Sequence, residues 1–184
     1  MRSKTFARLI VLLMALPGMA ADEPFKAERL LIRERKFEQA IANLEKLIDV
    51  GHCHGVVCAA NLAIALSKTK QTERAVQQAQ KALENVDEEP FLNAWEANEI
   101  GVILFRAPKR SASQLAAAIH AFRVAKTQYS GRASNVVFNL TKALEESGDT
   151  TGAQALQKEL DRGVLVDPTF SILGDFQGVA VEHR

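Results

Sequence analysis

Four amphipathic segments of similar length recur along this chain, and each places a small residue at the same point of its apolar face. The segments are KFEQAIANLEKLIDV, TERAVQQAQKALENV, QLAAAIHAFRVAKTQ and TGAQALQKELDRG. Their apolar residues lie three and four positions apart, which is the spacing of an α-helix. The aligned small residues are Ala40, Ala75, Ala118 and Ala153, at steps of 35, 43 and 35 residues. An insertion around RAPKRSASQ accounts for the long step, and the sequence predicts an all-α protein of repeated helical pairs.

A second helix is predicted before each of these segments, and three of those helices carry a small-apolar signature of their own. These signatures are Leu62-Ala63 with Leu66, Ile100-Gly101 with Leu104, and Leu140-Thr141 with Leu144. Together with Ala75, Ala79 and Ala82 in the second repeat and Ala118, Phe122 and Ala125 in the third, they resemble the tetratricopeptide repeat (TPR) pattern. The resemblance covers about residues 22–166. It implies a right-handed α-solenoid of about four helix pairs, with repeats at about 22–52, 56–90, 91–130 and 133–166 and a short capping segment at 167–184.

The resemblance also implies a binding surface, because the first helix of each repeat lines the concave groove in that family. The positions carried over are Phe25, Arg29, Arg33, Ala60, Ile64, Lys68, Trp95, Asn98, Val102, Arg106, Asn135, Phe138 and Lys142. Cations and aromatic rings such as these dominate recognition energies, so we expect a protein or peptide partner with acidic and apolar residues. Each cation could instead be part of a solvated helix face, and Trp95 could equally belong to the core.

The N-terminal segment MRSKTFARLIVLLMALPGMA has the order of a secretory signal peptide. Three basic residues precede an apolar run from Leu9 to Leu16, and small residues follow Pro17. Eight apolar residues at about 1.5 Å each are too short for a hydrocarbon core of roughly 30 Å, so no permanent membrane anchor is expected. We expect cleavage after Ala20, with Ala21 as the alternative, and a periplasmic or secreted protein.

The charge and motif content of the mature chain exclude several function classes. Residues 1–20 hold three of the 23 basic and none of the 22 acidic residues, so the remainder carries 20 against 22, a net charge of −2. That balance gives no electrostatic reason to expect a nucleic-acid partner. No glycine-rich phosphate loop, nucleophile elbow or H-E-x-x-H motif is present. We expect neither enzymatic activity nor a cofactor.

The segment GHCHGVVC, residues 51–58, holds both cysteines and two of the four histidines. The repeat register places it at the junction between the first two helix pairs, with Gly51 ending one helix. An oxidising compartment favours a disulfide between Cys53 and Cys58. Free thiols, or a metal site formed by His52, Cys53, His54 and Cys58, remain alternatives, although adjacent His-Cys-His side chains diverge and suit a tetrahedral site poorly. A redox or metal-handling protein based on this cluster is therefore the alternative to an interaction module that acts as a scaffold, adaptor or assembly factor.

The C-terminal tail is apolar for a free end. Asp167-Pro168 is a good helix start, so a short helix from Pro168 to about Leu173 is predicted. We expect Phe170, Leu173 and Phe176 to cover the exposed end of the last helix pair. The alternative is that the tail lies in the concave groove. The sequence leaves the oligomeric state open.

Overall fold

The computed structural model describes residues 25–53, 55–84, 92–129, 134–161 and Leu173. All regular secondary structure within these residues is α-helix, which confirms the predicted all-α class. The helices are α1 (Lys26–Arg33), α2 (Phe37–Asp49), α3 (Gly55–Lys68), α4 (Thr72–Glu84), α5 (Ala94–Phe105), α6 (Ala112–Gln128), α7 (Ser134–Ser147) and α8 (Thr150–Leu160). None of the helices described is long and apolar enough to cross a membrane. The predicted signal peptide and nearly all of the predicted capping tail lie outside the described residues.

Local sequence signals set several helix ends. The side chains of Asn93, Ser111 and Asp149 each accept a hydrogen bond from the backbone N–H three residues later, at 2.9, 3.2 and 2.9 Å. These bonds satisfy N–H groups that the first turn of a helix leaves unpaired. Gly51 follows α2 with φ 72° and Gly148 follows α7 with φ 85°, a left-handed conformation in which a side chain would be strained.

The four aligned alanines all lie in the core. Ala40, Ala75, Ala118 and Ala153 are between 0% and 4% exposed, so the apolar face predicted for each segment is the buried face. The buried residues form two clusters, a larger one that extends from α3 to α8 and a smaller one around α1, α2 and α3. The regular spacing of apolar residues therefore identified the core correctly.

Helices α5 and α6 approach each other closely at a glycine. A Cβ atom added to Gly101 would lie 2.6 Å from Cδ1 of Phe122, which is itself fully buried. The Ile100-Gly101 pair in the sequence thus leaves room for an aromatic ring on the partner helix. A larger residue at position 101 would force that ring or the helices apart.

Contacts between helices follow a regular order. Each helix contacts the next one from α1 to α8, and further contacts join α1 with α3, α3 with α5, α5 with α7 and α4 with α6. We call α1, α3, α5 and α7 the odd-helix row, and α2, α4, α6 and α8 the even helices. All the residues carried over as groove positions lie on the odd-helix row or at the ends of its helices.

Candidate partner-binding face

The predicted groove residues differ widely in exposure. Arg33, Lys68, Arg106 and Lys142 are exposed, and Phe25, Arg29, Trp95 and Phe138 are half-buried. The remaining positions are buried: Ala60, Ile64, Asn98, Val102 and Asn135. The expectation of a surface position therefore does not hold for these five, because neighbouring helices cover them.

Arg29 is held in an ion pair instead of facing solvent. Its guanidinium donates from Nε and Nη2 to the two carboxylate oxygens of Glu96, at 2.7 and 2.9 Å. The Arg29 side chain is 11% exposed and that of Glu96 is fully buried. Such a two-point contact between guanidinium and carboxylate is among the strongest side-chain hydrogen bonds. Arg29 therefore orders the interior between α1 and α5.

The Glu96 carboxylate receives two further N–H groups. Asn61 Nδ2 on α3 donates to Oε1 at 3.0 Å and to the carbonyl of Val57 at 2.8 Å. The backbone N–H of Asn93 donates to Oε2 at 3.1 Å, which completes a capping box at the start of α5. One carboxylate thus links α1, α3 and α5. Asn61 Oδ1 is the one buried side-chain oxygen or nitrogen without a hydrogen-bond partner among the described residues.

A second set of polar side chains crosses from α3 through α5 to α7. Lys68 donates to Glu99 at 3.1 Å, and Asn98 Nδ2 lies 3.4 Å from the other oxygen of Glu99. Asn139 Nδ2 on α7 donates to Asn98 Oδ1 at 2.8 Å, and Asn139 Oδ1 accepts the backbone N–H of Leu173 at 2.8 Å. We call these five residues the polar chain. Asn98 can be buried because its side-chain amide is hydrogen-bonded to Asn139 on α7, the next helix of the odd-helix row.

Trp95 joins the two apolar clusters. The half-buried indole packs against both, so it contributes to the core between the first and later helix pairs. Part of its surface stays accessible. The structure therefore gives Trp95 a packing role and leaves its proposed binding role a prediction.

An open cleft of about 530 Å³ lies at the ends of α5 and α7. It is lined by Phe105, Arg106, Lys142, Glu145, Glu146 and Leu173.

The Arg110 guanidinium lies 4.1 Å from the centre of the Phe105 ring and pairs with Glu146. Desolvation by burial lowers the pKa of Arg110, which nevertheless stays charged at neutral pH. Lys142 pairs with Glu145 at 2.8 Å and lies 5.6 Å from the Phe138 ring. The rim thus carries both signs of charge around an apolar floor.

Cys53 and Cys58 are joined in a disulfide, as predicted. Their Cα atoms are 5.7 Å apart, and both residues are 2% exposed within the smaller apolar cluster. Burial shields the bond from thiol exchange, which favours a structural role. Among the described residues no group of three or more His, Cys, Asp or Glu could hold a metal ion. His54, a member of the alternative metal set, lies outside the described residues.

The sequence alone did not single out Glu96 or Asn139 as the centres of these contacts. For Glu96 a readable signal existed, because Asn93-x-x-Glu96 before an apolar helix is a capping-box pattern. For Asn139 none existed, because its partner Asn98 is 41 residues away along the chain.

No protein-family model matches this sequence, and a search of the curated proteins finds no match. The resemblance to TPRs therefore stays a prediction that rests on the residues quoted above.

Proposed function

We propose that this chain is an exported, non-enzymatic interaction module in which four TPR-like helix pairs form a right-handed solenoid. A partner polypeptide binds on the odd-helix row, and the protein acts as a scaffold, adaptor or assembly factor. The order of helix contacts supports this arrangement, since each odd helix contacts the next odd helix as well as its neighbours in the chain. Three of the helix pairs also fall within the predicted repeat ranges, and the second begins at Gly55, one residue before its predicted range.

The observation that carries the proposal is a set of exposed cations at corresponding helix ends. Arg33 stands in the last turn of α1, Lys68 in the last turn of α3, and Arg106 caps the C-terminus of α5. A cation at a helix C-terminus is favoured by the helix dipole, which alone could account for one such residue. We infer that these three cations on successive contacting helices, of which Lys68 also pairs with Glu99, form a positive strip that suits an acidic segment of a partner.

A charge-neutralisation experiment tests the strip. The triple variant Arg33→Gln, Lys68→Gln and Arg106→Gln removes three positive charges. The matched control, Lys46→Gln, Lys81→Gln and Arg123→Gln, removes three exposed charges from the even helices. We expect partners captured from exporting cells to be lost with the first variant and kept with the control, and capture to weaken as salt rises. Equal capture by both variants, with unchanged circular dichroism, would contradict the proposal.

Export has a separate test. We expect the protein isolated from its native compartment to begin at Ala21, as measured by N-terminal sequencing or intact mass. A chain that retains residues 1–20 would contradict the proposed localisation without bearing on the binding face.

A further inference from the structure

Leu173 is far from the rest of the described chain in sequence, yet it is part of the core. The residue is 5% exposed and belongs to the larger apolar cluster. Its backbone N–H donates to Asn139 Oδ1, a side chain 34 residues earlier. Both this bond and the cleft that Leu173 borders lie on the odd-helix row, at α7 and the end of α5. Leu173 therefore occupies the row that carries the predicted groove positions.

Asn139 is held so that it presents an acceptor to a backbone N–H. Its Nδ2 group donates to Asn98 Oδ1, and because that oxygen can only accept, the orientation of the Asn139 amide is settled. Asn139 is fully buried, as is Asn98, so neither amide can turn toward solvent. The Asn139 carbonyl is thus fixed before anything binds it. A bond to a main-chain N–H is independent of side-chain identity, so it suits any polypeptide segment.

The cleft beside Asn139 supplies selectivity for a side chain. Phe105 and Leu173 give it an apolar lining, one aromatic and one branched aliphatic. The rim carries Arg106 and Lys142 as well as two glutamates. A partner peptide with a large aliphatic residue between polar residues fits such a cleft, whose lining is apolar and whose rim is charged.

We propose that Leu173 holds, within its own molecule, the binding position of a partner peptide. The partner places a large aliphatic side chain where Leu173 lies and donates its backbone N–H to Asn139. Leu173 then acts as a built-in competitor that the partner must displace. This inference rests on the proposed interaction function and adds to it the site, the chemistry of one partner residue and a means of regulation.

A peptide added in trans tests the inference on the full chain. The probe is a fluorescent peptide of residues 167–179, DPTFSILGDFQGV. It is titrated by fluorescence anisotropy against the wild-type protein and against Leu173→Asp, whose carboxylate is disfavoured in an apolar site. If Leu173 fills its position nine-tenths of the time in the wild type, the apparent affinity there is reduced about tenfold. We therefore expect Leu173→Asp to bind the peptide at least about tenfold more tightly than wild type.

Two controls sharpen the result. A peptide in which Leu173 is replaced by Asp should not bind either protein, which separates site-specific binding from general stickiness. The backbone amide of Leu173 in the wild type should be protected from hydrogen exchange, and saturating peptide should remove that protection. Equal affinity for both proteins, or no binding to a folded Leu173→Asp, overturns the inference. Loss of the fold on Leu173→Asp also overturns it, because a displaceable occupant is not needed for folding.

This outcome is independent of the charge-neutralisation experiment. That experiment changes Arg33, Lys68 and Arg106, and it reads out captured proteins. Peptide binding with unchanged capture would keep the Leu173 site and reject the positive strip. Lost capture without peptide binding would keep the strip and reject Leu173 as a competitor.

Discussion

Ion pairs between arginine or lysine and glutamate join helices both within the odd-helix row and within the even helices, but they differ in their exposure to water. On the odd-helix row, Arg29 pairs with Glu96, and their side chains are 11% and 0% exposed. On the even helices, Arg74 of α4 pairs with Glu45 of α2, and these side chains are 51% and 41% exposed. Lys126 and Glu159 form a similarly exposed pair between α6 and α8. The two even-helix pairs thus keep water around their charges, whereas the Arg29–Glu96 pair on the odd-helix row is shielded from it.

The difference teaches that burial, and not the type of ion pair, decides what each contact does. In water the attraction between two charges is screened, and an exposed pair contributes little to folding. In the interior, each polar atom of an ion pair needs hydrogen-bond partners from the protein. The Glu96 carboxylate has them, because it accepts hydrogen bonds from four N–H groups. The odd-helix row is therefore specified by a few polar side chains, while the exposed pairs on the even helices can be exchanged at small cost.

The largest expected effect comes from Glu96→Ala. It would remove the carboxylate that pairs with the largely buried Arg29 guanidinium, and with it the capping box at Asn93. Breaking a buried ion pair by removing one member costs about 3 to 5 kcal/mol. We expect the free energy of unfolding, measured by urea denaturation, to fall by that amount. Glu45→Ala is the matched control on the even helices, and an equal loss in the two variants would break the comparison.

A smaller loss in the free energy of unfolding is expected from Asn139→Ala, which interrupts the polar chain between two uncharged amides. The change removes the two bonds that Asn139 makes, one to Asn98 Oδ1 and one to the Leu173 N–H. Unsatisfied neutral groups of this kind cost about 1 to 3 kcal/mol, less than an unpaired charge. The loss in free energy of unfolding that urea denaturation measures for Asn139→Ala should therefore lie between the losses for Glu96→Ala and Glu45→Ala. A double-mutant cycle with Asn98→Ala should be non-additive, because the two amides bond each other. Strict additivity would mean that the polar chain is not a coupled unit.

The disulfide lies where the two kinds of helix meet, since Cys53 is in the turn after α2 and Cys58 is in the first turn of α3. Closing so short a loop contributes about 2 kcal/mol in the chain-entropy model. We expect reductant to lower the free energy of unfolding of the wild type by about that amount. The double variant Cys53→Ala and Cys58→Ala should start lower and show no response to reductant. A wild type that ignores reductant while fully reduced by mass spectrometry would contradict this expectation.

The sequence predicted those features that depend on nearby residues. Ala118 and its three counterparts are buried because helical periodicity determines which face is apolar. The Cys53–Cys58 disulfide could also be predicted from the sequence, because its two cysteines are only five positions apart. Glu96 and Arg29 are 67 residues apart, so no local pattern connects them.

Asn98 illustrates the limit most clearly. The repeat register placed it on the odd-helix row, but only the neighbouring helix α7, which supplies Asn139, decides that it is covered. Periodicity identifies the face of a helix on which a residue lies, and the packing of the next helix determines whether that face meets water. Exposure of the groove positions therefore could not be read from the sequence.

The smallest effect is expected from the exposed pair on the even helices, and it is the measurement that most directly isolates burial. Glu45→Ala should lower the free energy of unfolding by less than about 1 kcal/mol, because water solvates Arg74 once its partner is gone. Salt provides an internal check, since the Debye length shrinks to about 3 Å at 1 M and screens exposed pairs far more than buried ones. The difference between wild type and Glu45→Ala should therefore vanish at 1 M sodium chloride, whereas the deficit of Glu96→Ala should persist. If salt abolished both differences, the Arg29–Glu96 contact would behave as a solvated pair, and the contrast between the two sets of helices would be lost.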